Sequence, residues 1–468
     1  MNAVEKLTNV KVSTTEKTLF RRLSLPGLHD HIYQIGRIIK LSTFLKPIST
    51  PNGLAFWSAN LLVVSMVLSP FLLSIGMWGL VFAAWWHTAQ TLRSQGRSIS
   101  FLPGSSWWEI LRLSFGRLFQ RRELGIFLLL VLVPAISFFW SDDKAYWLRL
   151  VQTRLPFLVL PWAFANLPPL GERQWKTVLY LLVWFMAGVC IAVGINFMFH
   201  FDAIIEGLGR GNPVPVPCQH VRFSLILATS IIAGAWLWLQ GFWMKKAWER
   251  HALAAAVVFL FIFLHVLSVR GGLFSLYAGL IFSLVRYVWL SKKWLAGLAA
   301  LGLLVGGLWV ASETVPSLKM RIAYMKYDWE RFNTHDEGHL YSDAMRWVSL
   351  QSGYKLWQEN PLLGTGAGDL LSETKRMTAK LFPSYAEEPH LPHNEFIFII
   401  ASTGLLGLVF SLIAFFWLIY AGRNNGLFLA FQIMAFASFI IECTIENAIG
   451  VAWFVFYSLW FLVKWEVK

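Results

Sequence analysis

The chain is predicted to be an all-α, polytopic membrane protein, a bundle of about 12 transmembrane helices with one large helical loop on its outer side. Three observations carry that prediction. Of the 468 residues, 56% are hydrophobic and only 14% charged, with 25 tryptophans. Apolar runs of transmembrane length recur along the chain, and a water-soluble core would leave their polar flanks no consistent place. A single long polar stretch, Glu313 to Asn394, interrupts the pattern between two strongly apolar runs.

The apolar runs, in order, are Leu54 to Leu68, Phe71 to Ala89, Gly125 to Trp140, Leu150 to Leu167, Val178 to Phe199, Phe223 to Phe242, Ala252 to Leu267, Leu273 to Leu290, Trp294 to Ala311, Phe396 to Ile419, Leu427 to Ile441 and Ala448 to Val463. Several fall short of the ~20 residues that span a bilayer upright, and the first two are separated only by Ser69-Pro70. Met1 to Pro51 carries eight Lys/Arg and no continuous apolar core, which argues against a cleaved signal peptide. The expected organisation is a cytoplasmic segment 1–52, spans one to nine over 53–311, the loop 312–392, and spans ten to twelve with a short tail over 393–468.

The net charge of +14 does not form one basic patch. The basic residues sit in short loops, which is a topology signal, and no basic stripe with interleaved aromatics points to nucleic acid. With the N-terminus in the cytoplasm, every short loop on that side carries positive charge. The long loop then faces outward. Few basic residues remain on its side, and the insertion rule does not explain them: Arg154, Arg222 at the mouth of the sixth span, and Arg270 beside Gly271 and Gly272. An arginine at membrane depth costs several kcal/mol unless it snorkels or is paired, so each is a functional candidate. Guanidinium binds phosphate oxygens through paired bonds at any physiological pH, which suggests an outward pocket for a phosphorylated lipid.

Within the loop, Trp347, Leu350, Tyr354 and Trp357 recur at helical spacing over Ser342 to Glu359, with Met345 and Val348 flanking the stripe. The expectation is an amphipathic helix beside the membrane surface, capped by Ser342 and stopped at Asn360-Pro361. The glycine-punctuated run Asn360 to Gly368 lacks the Gly-Lys-Ser/Thr ending of a nucleotide loop, so a tight turn is its first reading and a backbone phosphate or sugar site its second. His393 stands where the loop meets the tenth span and is a candidate general base. His390 lies three residues before it. The pairs Asp142-Asp143 and Glu387-Glu388 have no accompanying His/Cys/Asp cluster, and no two of the three cysteines have ligand spacing, so no metal and no cofactor are expected.

Four segments together resemble the O-antigen ligase and polymerase superfamily of bacterial envelope glycosyltransferases. They are Arg154-Leu155-Pro156, Ser268-Val269-Arg270-Gly271-Gly272, Arg346 to Gly368 with Asn360-Pro361-Leu362-Leu363-Gly364-Thr365-Gly366, and His393-Asn394-Glu395-Phe396 followed by Ser402-Thr403-Gly404-Leu405-Leu406-Gly407. The resemblance implies a metal-independent, GT-C-like glycosyltransferase of the bacterial inner membrane with a periplasmic site. In the ligase branch, a glycan passes from undecaprenyl diphosphate to a sugar hydroxyl of lipid A-core. It further implies that His393 is the base, that Arg222, Arg270 and Arg154 bind the donor diphosphate, and that Arg346, His390, His220 and Asn394 support the site. The expected partners are that donor, that acceptor and membrane lipids. A polymerase or a protein O-oligosaccharyltransferase of the same superfamily is the alternative. A lipid-glycan flippase fits less well, because no internal repeat is visible.

Overall fold

The computed structural model describes residues 46–96, 105–333, 342–386 and 390–463. The basic N-terminal segment up to residue 45, the pair Glu387-Glu388, and Lys464 and Lys468 lie outside the described residues. Among those residues the chain is all helical, and nine helices are long and apolar enough to cross a membrane. Two shorter apolar helices follow near the C-terminus. This is a multi-pass membrane bundle.

The elements in order are α1 (Pro51–Leu68), α2 (Pro70–Ser94), α3 (Ser105–Gln120), α4 (Arg122–Phe139), α5 (Lys144–Arg154), α6 (Pro156–Asn166), α7 (Glu172–Phe199), α8 (Phe201–Gly209) and α9 (His220–Leu239). Then come α10 (Trp248–Leu267), α11 (Arg270–Ser291), α12 (Trp294–Thr314), α13 (Pro316–Asn333), α14 (Ser342–Glu359), α15 (Leu370–Leu381), α16 (Glu395–Ala421), α17 (Gly426–Ile441) and α18 (Ala448–Leu462). Pro70 begins α2 at its first turn, where a missing N–H costs nothing, so the Ser69-Pro70 break makes a closed hairpin of α1 and α2. Leu150 to Leu167, expected as one span, is two short helices meeting at Leu155-Pro156. That joint leaves Arg154 at the end of α5.

The centre of the bundle is α9 and α18. Most of α9 is buried (83%), α18 presents Trp453, Tyr457 and Trp460 to the core, and Trp453 Nε1 donates to Thr229 Oγ1 at 2.9 Å. By contrast α12 is 6% buried and stands at the edge. The long polar stretch folds into α13, α14 and α15, a helical tier over one end of the bundle.

The glycine run fastens that tier to α16. At Gly404 the helix breaks, with φ +67° and ψ −166°, and its freed backbone groups pair with the loop. Thr365 N donates to Ala401 O and Gly366 N to Ser402 O, both at 2.9 Å, while Leu405 N donates to Pro361 O at 2.9 Å. Gly364, at φ +68°, passes so close that a Cβ there would lie 2.6 Å from Gly404 N. Ala367 N and Gly368 N donate to Ser137 Oγ and Ser141 Oγ, each at 3.1 Å. The first reading of the run, a tight turn, holds, because its amides are taken by protein rather than presented to a ligand.

The helix expected over Ser342 to Glu359 forms, and its large aromatics do not face the bundle. Ala344, Met345, Val348, Ser349, Ser352 and Leu356 are buried, while Trp347 and Tyr354 are each 42% exposed. Small side chains let α14 approach α15 and α16 closely: Ser352 Oγ lies 3.0 Å from Thr378 Oγ1, and a Cβ on Gly353 would collide with Pro392. The aromatic stripe is therefore turned outward.

Candidate active site

The site forms where the tier meets the ends of α9, α11 and α17. Its cleft is narrow, with a cavity of about 20 Å³, and is lined by His220, Arg270, Arg321, Arg346 and Glu442, with Ser268 and Gly271. Each polar side chain is delivered by a helix end or by the tier. Arg270 opens α11 two residues after Ser268, whose left-handed backbone (φ +50°) ends α10. Arg321 projects from α13 and Arg346 from the first turns of α14, while Glu442 follows the last residue of α17.

Glu442 is the hub. Its Oε1 lies 3.0 Å from His393 Nδ1, and its Oε2 accepts from Arg346 Nη2 at 3.3 Å. Arg222 Nη1 lies 4.0 Å from Oε1. Burial alone would push the Glu442 carboxyl up, but the hydrogen bond from His393 and the charges of His393, Arg346 and Arg222 outweigh it and hold it at about 2. A carboxylate can only accept, so the His393 tautomer it selects carries the proton on Nδ1. Nε2 is then the ring nitrogen left to take a proton. The main chain of His393 is fixed as well, its N–H donating to Ser349 Oγ at 3.2 Å.

The cleft carries positive charge. Arg270 pairs with Asp343, Nη1 at 2.8 Å from Oδ2 and Nη2 at 2.6 Å from Oδ1. Arg346 pairs with Glu442. Arg321 makes no ion pair among the described residues; its Nη1 donates to Gly211 O at 2.9 Å. Burial and the like charge of Arg270 pull its guanidinium below the ordinary arginine value. Three guanidinium groups thus face two carboxylates, an arrangement suited to an anion with several oxygens.

Beneath the cleft lies a second charged group. Arg222, 3% exposed, donates to Cys443 O and to Thr444 O, and its Nη1 reaches Gln219 Oε1 at 3.1 Å. Glu395, fully buried, accepts from Ile445 N at 3.1 Å and lies 3.7 Å from Arg154 Nη2. Arg154, 4% exposed, also stands over the Phe398 ring. Arg222 and Glu395 thereby hold the backbone of Cys443, Thr444 and Ile445, where the chain passes from Glu442 into the 3-10 turn Thr444–Glu446.

Residues 254–412 match a family model described as O-Antigen ligase. The match covers less than half of the chain. It runs from α10 into α16, and so includes Arg270, Arg321, Arg346 and His393 but not Arg154, Arg222 or Glu442. No curated protein matches the chain.

Against the O-antigen ligase expectation, the structure brings Arg270, Arg346, His220 and His393 together and leaves others apart. Arg154 and Arg222 lie beneath the cleft: Arg154 Nη2 is 3.7 Å from Glu395 Oε1, and Arg222 donates to the carbonyls of Cys443 and Thr444 while its Nη1 touches the cleft's floor, 4.0 Å from Glu442 Oε1. Asn394 caps α16, its Oδ1 accepting from Phe396 N at 2.9 Å and Ile397 N at 3.0 Å, and its Nδ2 donates to Ile440 O at 2.8 Å. His390 is exposed, its ring centroid 5.8 Å from that of His393. Asp142 and Asp143 turn their amides to Asp369. Cys218 and Cys443 are both free thiols. Two cleft residues escape sequence reasoning, Arg321 and Glu442. The second had a signal: a short outer loop with two carboxylates, Glu442 and Glu446, directly after an apolar run.

Proposed function

We propose that the chain is an O-antigen ligase that moves a glycan from undecaprenyl diphosphate to a sugar hydroxyl of lipid A-core, on the periplasmic face of the inner membrane. The observation that carries this reading is the contact of His393 with Glu442 at the rim of a cleft lined by Arg270, Arg321 and Arg346. In it, the arginines bind the donor diphosphate. His393 Nε2 takes the proton of the acceptor hydroxyl while its Nδ1–H stays on Glu442. The acceptor oxygen bonds to the anomeric carbon, the bond from that carbon to the diphosphate oxygen breaks, and the diphosphate leaves with the electron pair. Its growing charge meets fixed guanidinium groups, and a single displacement inverts the anomeric centre. Arginines supply the charge here that a metal supplies elsewhere, so the reaction is expected to be metal-independent.

The test is to incubate purified protein with polyprenyl-diphosphate-linked glycan and lipid A-core. The expected result is a joined product, unaffected by chelators and lost by a factor of about 10²–10⁴ in His393→Ala. Transfer at the wild-type rate in that variant would remove His393 as the base. A glycan lengthened on polyprenyl diphosphate would select polymerase, and chelator-abolished activity restored by added metal would overturn the metal-free step.

A further inference from the structure

At 100° per residue, Asp343, Arg346, Trp347, Leu350, Tyr354 and Trp357 fall within one arc of α14 about 100° wide. Asp343 and Arg346, at its N-terminal end, pair with Arg270 and Glu442 and thus form part of the cleft. The face that closes the cleft therefore continues along the helix as an aromatic strip of about 15 Å. Trp347 and Tyr354 are each 42% exposed, and Leu350 and Trp357 are half-buried. Trp357 is held in place, its Nε1 donating to Pro361 O at 3.1 Å and its ring 5.4 Å from that of Tyr354.

Resting on the reading above, we propose that this strip is the subsite for the donor's glycan, which stacks on it as it leads away from the diphosphate. The aromatic rings offer electron-rich faces to the C–H faces of hexose units, and being rigid they lose little entropy on contact. Gln351 and Gln358 flank the strip with amide groups for sugar hydroxyls. A bilayer contact needs different flanks: an interfacial helix is rich in Lys/Arg on its polar side, whereas α14 balances Arg346 and Lys355 against Asp343 and Glu359. The occupant is the donor's glycan because the strip begins at the residues paired to the diphosphate-binding arginines.

The test uses Trp347→Leu, Tyr354→Leu and the double variant, all changes of outward side chains, with two readouts. The first is saturation-transfer NMR with diphosphate-free polysaccharide, released by mild acid from the lipopolysaccharide of the source bacterium. Binding is expected in wild type and in Arg270→Ala, weakened about fivefold to tenfold in each single variant and lost in the double. The second is transfer kinetics: KM should rise about tenfold for a donor with many repeats, with kcat and the KM of a one-repeat donor and of lipid A-core unchanged. Unaltered polysaccharide binding in the leucine variants would overturn the proposal and is what a bilayer contact would give, since leucine serves a bilayer as well. A rise confined to the lipid A-core KM would also overturn it and move the strip to the acceptor. Polysaccharide binding by a wild type that transfers nothing would instead defeat the ligase reading and leave the subsite standing.

Discussion

Arginines of one chemistry stand at two depths in this molecule. Arg270, Arg321 and Arg346 sit on helix ends and on the tier, partly open to the cleft, Arg270 against the partly exposed Asp343 and Arg346 against the buried Glu442. Arg154 and Arg222 lie below, under 5% exposed, and are spent on Glu395 and on the carbonyls of Cys443 and Thr444. A guanidinium near water can exchange its partner for a substrate oxygen. One in an apolar surround cannot, because releasing its partner would leave two buried charges unpaired. The upper group is thus read as binding and the lower as positioning, acting through the backbone that follows Glu442.

The sharpest way to break this comparison is to remove a lower arginine. Arg154→Ala should destabilise the protein by about 3–5 kcal/mol, because the fully buried Glu395 loses the cation opposite it and a cavity opens beside Phe398. Arg154→Met with Glu395→Gln should recover most of that, since both charges go while an acceptor remains for Ile445 N. Thermal unfolding in detergent measures both. A single variant as stable as wild type would mean that Arg154 is not structural.

The upper arginines should show the opposite pattern. Arg270→Ala and Arg346→Ala are expected to lower kcat/KM for the diphosphate donor by about 10²–10³, some 2.7–4 kcal/mol of transition-state stabilisation. Arg270→Ala should move the melting temperature little, since its partly exposed pair with Asp343 contributes about 0–1 kcal/mol, whereas Arg346→Ala should also lower it, because the buried Glu442 loses one of the charges that hold it. If Arg270→Ala lost stability along with activity, depth would not divide the roles.

Much of this was legible in the sequence, and what was not has physical reasons. The apolar runs and the Ser342 to Glu359 helix follow from periodicity and from the stops at Asn360-Pro361. Position in sequence also singled out Arg270 and His393, and the family resemblance added Arg346. Partners were not legible: Arg154-Leu155-Pro156 reads as an arginine a little inside the outer face, and only the fold reveals Glu395 behind it. Nor was the inward face of α14, because a helix packed through Ala, Ser and Gly leaves its large residues outside, opposite to the usual amphipathic pattern. Arg321 looks like one more charge on a polar helix, and Glu442 like part of a short connection, until the tier folds over them.

Glu442 links the two groups, and its titration sharpens the boundary between them. Its ordinary value is 4.5 and its folded value about 2. A depressed carboxyl contributes stability that is fully present above 4.5 and lost as pH falls through about 2, worth about 3 kcal/mol here. Glu442→Gln should therefore be less stable than wild type by a constant margin from pH 7 down to about 4.5, and that margin should close toward pH 2. Unfolding scans across that range check the sign. A margin that widened on acidification would mean that His393 and the arginines do not hold this carboxylate.

The smallest expected effect concerns Asn394, which neighbours His393 in sequence and invites a chemical role. Its side chain is already engaged at both ends, Oδ1 on the first amides of α16 and Nδ2 on Ile440 O at the end of α17. Loss of an N-cap oxygen costs about 1 kcal/mol. Asn394→Ala should therefore lower stability by about that much and leave donor KM unchanged, with kcat reduced only a few-fold through slack between α16 and Glu442. Asn394→Asp keeps the cap oxygen and adds an anion near the positive end of the helix, so it should restore stability. If instead Asn394→Ala abolished transfer at wild-type stability, Asn394 would belong with the upper group, and the line between binding and positioning residues would have to be redrawn through α16 itself.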